Sequence, residues 1–332
     1  MSASLKTTPA SEQSNFTRGY VVALASAAIL STTAVFIRFL TETYHVPPLV
    51  LAFWRALFVV LTLLAGFALL RRPSLLRAGR IHLRYLVVYG LVLAVFNSLW
   101  TLSVALNGAA VATVLVYCSA AFTVLLGRWF LQERLDTAKI AAIALCLGGC
   151  VLVAGAYEPA AWTANPLGIL TGVFSGLGYA VYSLMGRSAA QRGLNPWTTL
   201  LYTFTFAAGF LLLVNLLPAG IVPGTAVQPA DLFWLGRAAA GWAALILLAA
   251  GPTVAGFGLY NVSLSLLPSS VANLILTLEP VFTAVLAYAL LGERLTAVEI
   301  VGALLILSGV GLLRLRNGRW LSKKEKRYAR IE

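Results

Sequence analysis

Long apolar runs broken by brief polar interruptions set the rhythm of this chain. A bilayer-spanning helix needs about 20 apolar residues. Ten runs meet that length, over 19–40, 47–70, 84–106, 109–131, 137–156, 166–187, 195–217, 239–262, 268–291 and 296–315. Several connectors are very short: Asn107 with Gly108, Leu267 with Pro268, and Gly292 to Leu295. Connectors this short make successive helices antiparallel neighbours. The pattern predicts an all-α integral membrane protein of ten transmembrane helices.

The runs fall into two sets of five. An offset of 160 residues places Phe122 and Thr123 on Phe282 and Thr283. It also places Glu133, Arg134 and Leu135 on Glu293, Arg294 and Leu295. Five is odd, so the second set must enter the membrane from the opposite side. Two inverted five-helix repeats with a pseudo-two-fold axis in the membrane plane are a transporter signature. The expected organisation is a disordered N-terminal tail (1–18), a first repeat (19–156), a second, inverted repeat (166–315) and a basic tail (316–332).

Charge fixes the expected orientation. Of the 24 Lys and Arg residues, 20 fall on one side if both termini are cytoplasmic. The positive-inside rule then places both termini in the cytoplasm of a multi-pass cell (inner) membrane protein. The net charge of +13 is read as basic loops and tail facing anionic lipid, without nucleic acid. Hydrophobic residues make up 60% of the chain and charged residues only 11%, against about 25% in soluble domains. That balance leaves no polar block for a soluble domain. Cys118, Cys146 and Cys150 sit in apolar runs and read as small buried hydrophobes. His45 and His82 are far apart, and neither a metal nor a cofactor site is read.

Polar and aromatic residues inside the spans are the candidate chemistry. In the third span Tyr85, Tyr89, Phe96, Trp100, Ser103 and Asn107 fall within about a 60° arc. Such a stripe suits a flat amphipathic solute, or else helix packing and an interfacial belt. Tyr179 and Tyr182 interrupt the small-residue face of Gly172 and Gly176, a face suited to close helix approach. Asn97, Asn261 and Asn273 each need a partner in the bundle interior. Pro252 removes a helix hydrogen bond and is expected to kink the eighth span. The default for Arg55 is a stem that snorkels to the outer face. The alternatives are a pair with Glu279 or with a substrate carboxylate. Asp136 is expected to cap the fifth span, and Thr296 with Glu299 to form a capping box. Pro280 can start a half-helix with Glu279 at its positive end. Glu279 is thus read first as a hinge or gate element, then as a proton carrier, and last as a substrate contact.

With its Glu-Arg-Leu turns, the Glu-Pro-Val-Phe at 279–282 and the glycines 302, 309 and 311, the chain resembles the drug/metabolite transporter superfamily. Within it the chain looks like the EamA-type ten-helix exporters, most closely the YddG-type aromatic amino acid exporters. One departure is Ser119 and Ala120 where the second repeat has Glu279 and Pro280. The resemblance implies a secondary exporter of small amphipathic metabolites, foremost aromatic and other neutral amino acids. It would work by alternating access, as a monomer, around a cavity between the repeats. A multidrug or cationic-compound exporter is the alternative, and an integral-membrane enzyme or scaffold a remote one. No GxxxxGK[ST] phosphate loop is present. The candidate substrate contacts are Tyr89, Phe96, Trp100, Asn97, Tyr179, Tyr182 and Tyr85. The candidate gating or coupling residues are Glu279, Pro280, Pro252 and Arg55.

Overall fold

Proline, serine and threonine positions decide where the helices stop, more than the ends of the apolar runs do. The computed structural model describes residues 9–76, 79, 82–133, 136–162, 166–218, 221–291 and 296–328. In chain order the helices are α1 (Pro9–Leu30), α2 (Thr33–Tyr44), α3 (Pro48–Leu69), α4 (Leu83–Tyr117), α5 (Ser119–Phe130) and α6 (Thr137–Val153). Then follow α7 (Pro166–Gln191), α8 (Pro196–Asn215), α9 (Ala239–Leu248), α10 (Gly258–Leu266), α11 (Ser269–Leu276), α12 (Glu279–Leu291) and α13 (Ala297–Tyr328). A π-helical stretch, Ala249–Phe257, joins α9 to α10. Among the described residues there is no strand.

Among the described residues, six segments are long and apolar enough to cross a membrane: Pro48–Leu69, Leu83–Val104, Ala112–Phe130, Pro166–Gln191, Pro196–Asn215 and Ala239–Leu266. Thr137–Val153 and Ala297–Leu312 are shorter apolar helices. The apolar runs at 19–40 and 268–291 are each cut in two. At the first cut the Ser31 and Thr32 hydroxyls donate to the carbonyls of Ala28 and Ile29 at 2.7 and 2.8 Å. Such back-bonding offers the chain an alternative to the helix ladder. At the second, Thr277 Oγ1 donates to Leu274 O at 2.6 Å. Pro280, second in α12, has no N–H to continue the ladder across the cut.

Two expectations differ from the structure. Helix begins at Pro9, ten residues before the apolar run, where the sequence reading expects a disordered tail over 1–18. Proline is well suited to a first helical turn, and the polar residues after it carry the helix on. Asn107 and Gly108 do not form a loop either, because helical structure runs through them. The chain nonetheless reverses there. A Cβ on Gly172 would lie 2.7 Å from Ser103 Oγ and 2.5 Å from Leu115 Cδ1. Twelve residues of straight helix span about 18 Å, so α4 must fold back between Ser103 and Leu115. Its first limb runs antiparallel to α7, with Tyr85 bonded to Met185 O and Ser103 to Gly168 O. Its second limb and α5 run parallel to α7, from Leu115 at Gly172 to Gly127 at Leu184. The expected turn at Gly292 to Leu295 and the Asn107 side chain lie outside the described residues.

The helix starts read from the sequence do appear. Asp136 accepts from Lys139 N at 2.9 Å at the start of α6. Thr296 and Glu299 exchange backbone-to-side-chain bonds of 2.6 and 3.2 Å before α13. Pro252 produces a π-helical stretch instead of a sharp kink. The Leu248 carbonyl, left without the Pro252 N–H, accepts from Thr253 Oγ1 at 2.8 Å.

The offset of 160 residues also maps contacts. A Cβ on Gly149 would lie 2.5 Å from Gly302 O, and one on Gly309 would lie 2.8 Å from Ala142 O. These two contacts exchange under the offset. Cys146 Sγ, donating toward Ile306 O at 3.7 Å, maps onto itself. α6 and α13 therefore pack antiparallel about a local two-fold through Cys146 and Ile306. The break between α4 and α5 at Cys118 likewise coincides, under the offset, with Leu278 between α11 and α12.

Candidate functional site

The interruptions converge. The cut between α1 and α2 brings Leu30 and Thr33 to a common cavity, and the end of α4 brings Thr113, Val116 and Tyr117. The π-helical stretch delivers Phe257, and the first residue of α12 delivers Glu279. Arg55 of α3, Tyr179 of α7, and Phe96, Asn97 and Trp100 of α4's first limb complete the wall. The cavity holds about 70 Å³, and a water needs about 10–15 Å³, so it has room for a few waters.

The charged wall is asymmetric. Arg55 is only 3% exposed and does not snorkel. Its Nη2 donates to Asn97 Oδ1 at 2.7 Å, and its guanidinium lies 5.9 Å from the centre of the Trp100 ring. Asn97 and Trp100 are three residues apart on one face of α4, and a hydrogen bond plus a cation–π contact draws the side chain inward. Arg55 Nε and the Thr33 hydroxyl are both buried without a hydrogen-bond partner. Glu279 faces the same cavity and accepts from Tyr117 Oη at 2.7 Å. Among the described residues no ion pair joins it to Arg55.

Aromatic rings form the remaining wall. Phe96 stacks on Tyr179 with centroids 5.0 Å apart and planes at 11°. Trp100 belongs to a second cavity as well, of about 420 Å³, which opens beside His45, Pro47 and Pro48 at the turn between α2 and α3. Trp100 is thus the side chain common to the small chamber and a wider vestibule at one end of the bundle.

The other end is sealed. Tyr89 packs on Tyr182 at 4.8 Å, and Asn261 donates to Tyr182 Oη at 3.1 Å. Asn273 donates to Ser183 Oγ at 3.2 Å and accepts from Ser119 Oγ at 3.1 Å. All six residues are buried. Beyond this layer Pro268 occupies the N-cap of α11 and offers no side-chain acceptor. Glu133, from the turn before α6, supplies it across the bundle. Its Oε1 accepts from Ser269 N at 2.7 Å and from Ser269 Oγ, and its Oε2 from Ser270 N at 3.3 Å and from Ser270 Oγ. Lys139 Nζ lies 3.8 Å from Glu133 Oε2 and donates to Ser270 Oγ at 3.0 Å. Arg187 grips the other side of the same turn, donating to the carbonyls of Leu264 and Ser265, both at 2.9 Å. An anion at a helix N-terminus and a cation at a C-terminus match the helix dipoles.

The residues singled out from sequence therefore separate by depth. Phe96, Asn97, Trp100, Tyr179, Arg55 and Glu279 line the cavity. Tyr89 and Tyr182 lie in the sealing layer. Tyr85 is further out, under the Arg192 guanidinium at 4.6 Å. Pro252 and Pro280 are buried backbone features at the edges of the breaks. Sequence reasoning does not reach Thr33, Tyr117 or Phe257. The offset holds a signal for Tyr117, which sits immediately before the break that mirrors the one at Glu279. Glu133 reads locally as part of a helix start, but its carboxylate works across the bundle.

Broken apolar helices around a chamber inside the bundle are the architecture of helical membrane transporters. The profile of the EamA-like transporter family matches residues 17–155 and again 166–315, so the chain belongs to that family, within the drug/metabolite transporter superfamily. It is 29% identical over 213 residues to a probable terminal-alkyne amino-acid exporter of Streptantibioticus cattleyicolor, covering 63% of this chain and 65% of that protein. It is 26% identical over 270 residues to a probable amino-acid metabolite efflux pump of Salmonella typhimurium, covering 80% and 85%. A crystal structure superposes with a TM-score of 0.70 at 19% identity, covering 90% of this chain and 98% of that one, a likeness of fold.

Proposed function

We propose that this protein is a secondary exporter of small amphipathic metabolites, foremost aromatic and other neutral amino acids. It works by alternating access to the cavity between α3, α4, α7 and α12. The observation that carries the reading is one chamber with a guanidinium that has no counter-charge, a carboxylate and stacked aromatic rings, sealed at one end and bordered by Trp100 toward the vestibule at the other. The family membership and the names of the relatives support it. A cationic-drug exporter fits less well, because buried Arg55 repels a lipophilic cation. The chain makes ten passes as two inverted five-helix repeats, 19–156 and 166–315, in the inner membrane, with both termini cytoplasmic, and acts as a monomer. The double family match and the exchanged contacts of α6 and α13 support that arrangement. The sealed end, which holds Glu133, is then the cytoplasmic one.

Purified protein in liposomes loaded with unlabelled tryptophan should take up labelled tryptophan by counterflow. Absence of saturable counterflow for every neutral amino acid, together with uptake of a lipophilic dication, would overturn the reading. Trp100→Ala removes an aromatic side chain that lines both cavities. Aromatic contacts are worth about 0.5–1.5 kcal/mol, so the half-saturation concentration for tryptophan should rise about 2- to 12-fold. That for alanine should change little.

A further inference from the structure

We propose that the cavity reads both ends of a zwitterion: Arg55 with Thr33 receives the α-carboxylate, and Glu279, steadied by Tyr117, receives the α-ammonium. The inference rests on the export reading above and concerns which atoms of the substrate are recognised.

A buried guanidinium without a counter-charge is a costly arrangement. Arg55 spends one of its N–H groups on Asn97 and leaves Nε unpartnered. The Thr33 hydroxyl, also buried and unpartnered, borders the same chamber. Two free donors and one positive charge constitute a receptor for an anionic, two-oxygen group, since an arginine fork matches a carboxylate. Glu279 supplies the opposite charge in the same chamber, and the Tyr117 hydroxyl engages its Oε2 alone. The other oxygen remains as an acceptor for an ammonium. Asn97 and Tyr117 act as positioning residues, each holding its charged neighbour in place.

The dimensions divide the substrate. A chamber of about 70 Å³ accepts a compact polar head. An aromatic side chain extends past Trp100 toward the vestibule of about 420 Å³. The head is therefore read strictly and the side chain loosely, which makes a broad neutral amino acid exporter out of one chamber. It also excludes compounds that carry only one of the two charges, because the unmatched wall charge would stay buried and unpaired.

Competition against labelled tryptophan counterflow tests this. In the unmodified protein, tryptamine and indole-3-propionate should each compete about tenfold or more weakly than tryptophan, the loss expected for one charge-assisted contact. Arg55→Gln should erase the gap between tryptophan and tryptamine while keeping that to indole-3-propionate. Glu279→Gln should do the reverse. Equal competition by all three ligands in the unmodified protein, with tryptophan still transported, would overturn the two-ended head and leave the export reading standing. Transport of tryptamine without tryptophan would overturn both. The unmodified protein alone suffices for this decision if a variant folds poorly.

Discussion

Replacing Glu133 with alanine should open the sealed end of the bundle. The carboxylate caps two backbone N–H groups of α11 and holds two serine hydroxyls, and its side chain is only 9% exposed. Truncating one partner of such a buried, charged network costs about 3–5 kcal/mol. Pro268 cannot take over as a cap, and Lys139 is left beside Ser270 without its counter-ion. A shift of about 3 kcal/mol carries a state populated at about 1% to more than half. Spin labels on the turn after α5 and at the start of α11 should then report a longer, broader distance distribution. Glu133→Gln keeps acceptor capacity but not charge, and should fall between the two. Distances that stay put in Glu133→Ala would mean that the latch does not hold this end shut.

The second large effect concerns the pair of α6 and α13. A side chain at Gly149 meets Gly302 O at 2.5 Å and Ile306 Cγ1 at 2.6 Å. The first of these is backbone and cannot swing aside. Overpacking costs about 1–3 kcal/mol when neighbours can yield, so Gly149→Val belongs at or above the upper end. The midpoint of thermal unfolding in detergent should fall by about 5 °C or more. A Cβ at Gly148, one residue away, would meet nothing within 4 Å, so Gly148→Val is the matched control and should change the midpoint little. Equal effects at the two glycines would refute the close approach.

The sequence is informative where the physics is local. Apolar run length marks the long apolar helices but not the breaks inside the runs at 19–40 and 268–291, Asp136 and the Thr296–Glu299 box give two helix starts, and the offset of 160 residues anticipates the relation between α6 and α13. It is silent where function depends on contacts between distant elements. Helical spacing puts Tyr85, Tyr89, Phe96 and Trp100 on one face, but depth along that face, not the face itself, decides which of them meets the cavity. Arg55 turns inward because Asn97, 42 residues away, offers it an acceptor. The bond from Tyr117 to Glu279 spans 162 positions, and the Glu133 latch spans 136 and 137. No periodicity within one helix carries that information. The departure at Ser119 and Ala120 is also narrower than its residues suggest. Both halves break their helix at the same repeat position, and only the second places a carboxylate there.

Alternating access to one cavity is the central claim, and site-directed thiol labelling tests it most directly. Cys118, Cys146 and Cys150 are replaced by alanine, and Thr113 on the cavity wall by cysteine. A membrane-impermeant thiol reagent is then added to either side of sealed vesicles. The account predicts labelling of Thr113→Cys from the His45 side when Glu133 is intact and from the opposite side when Glu133 is alanine, with tryptophan slowing both. Labelling from one side whatever the residue at 133, and indifferent to tryptophan, would contradict it.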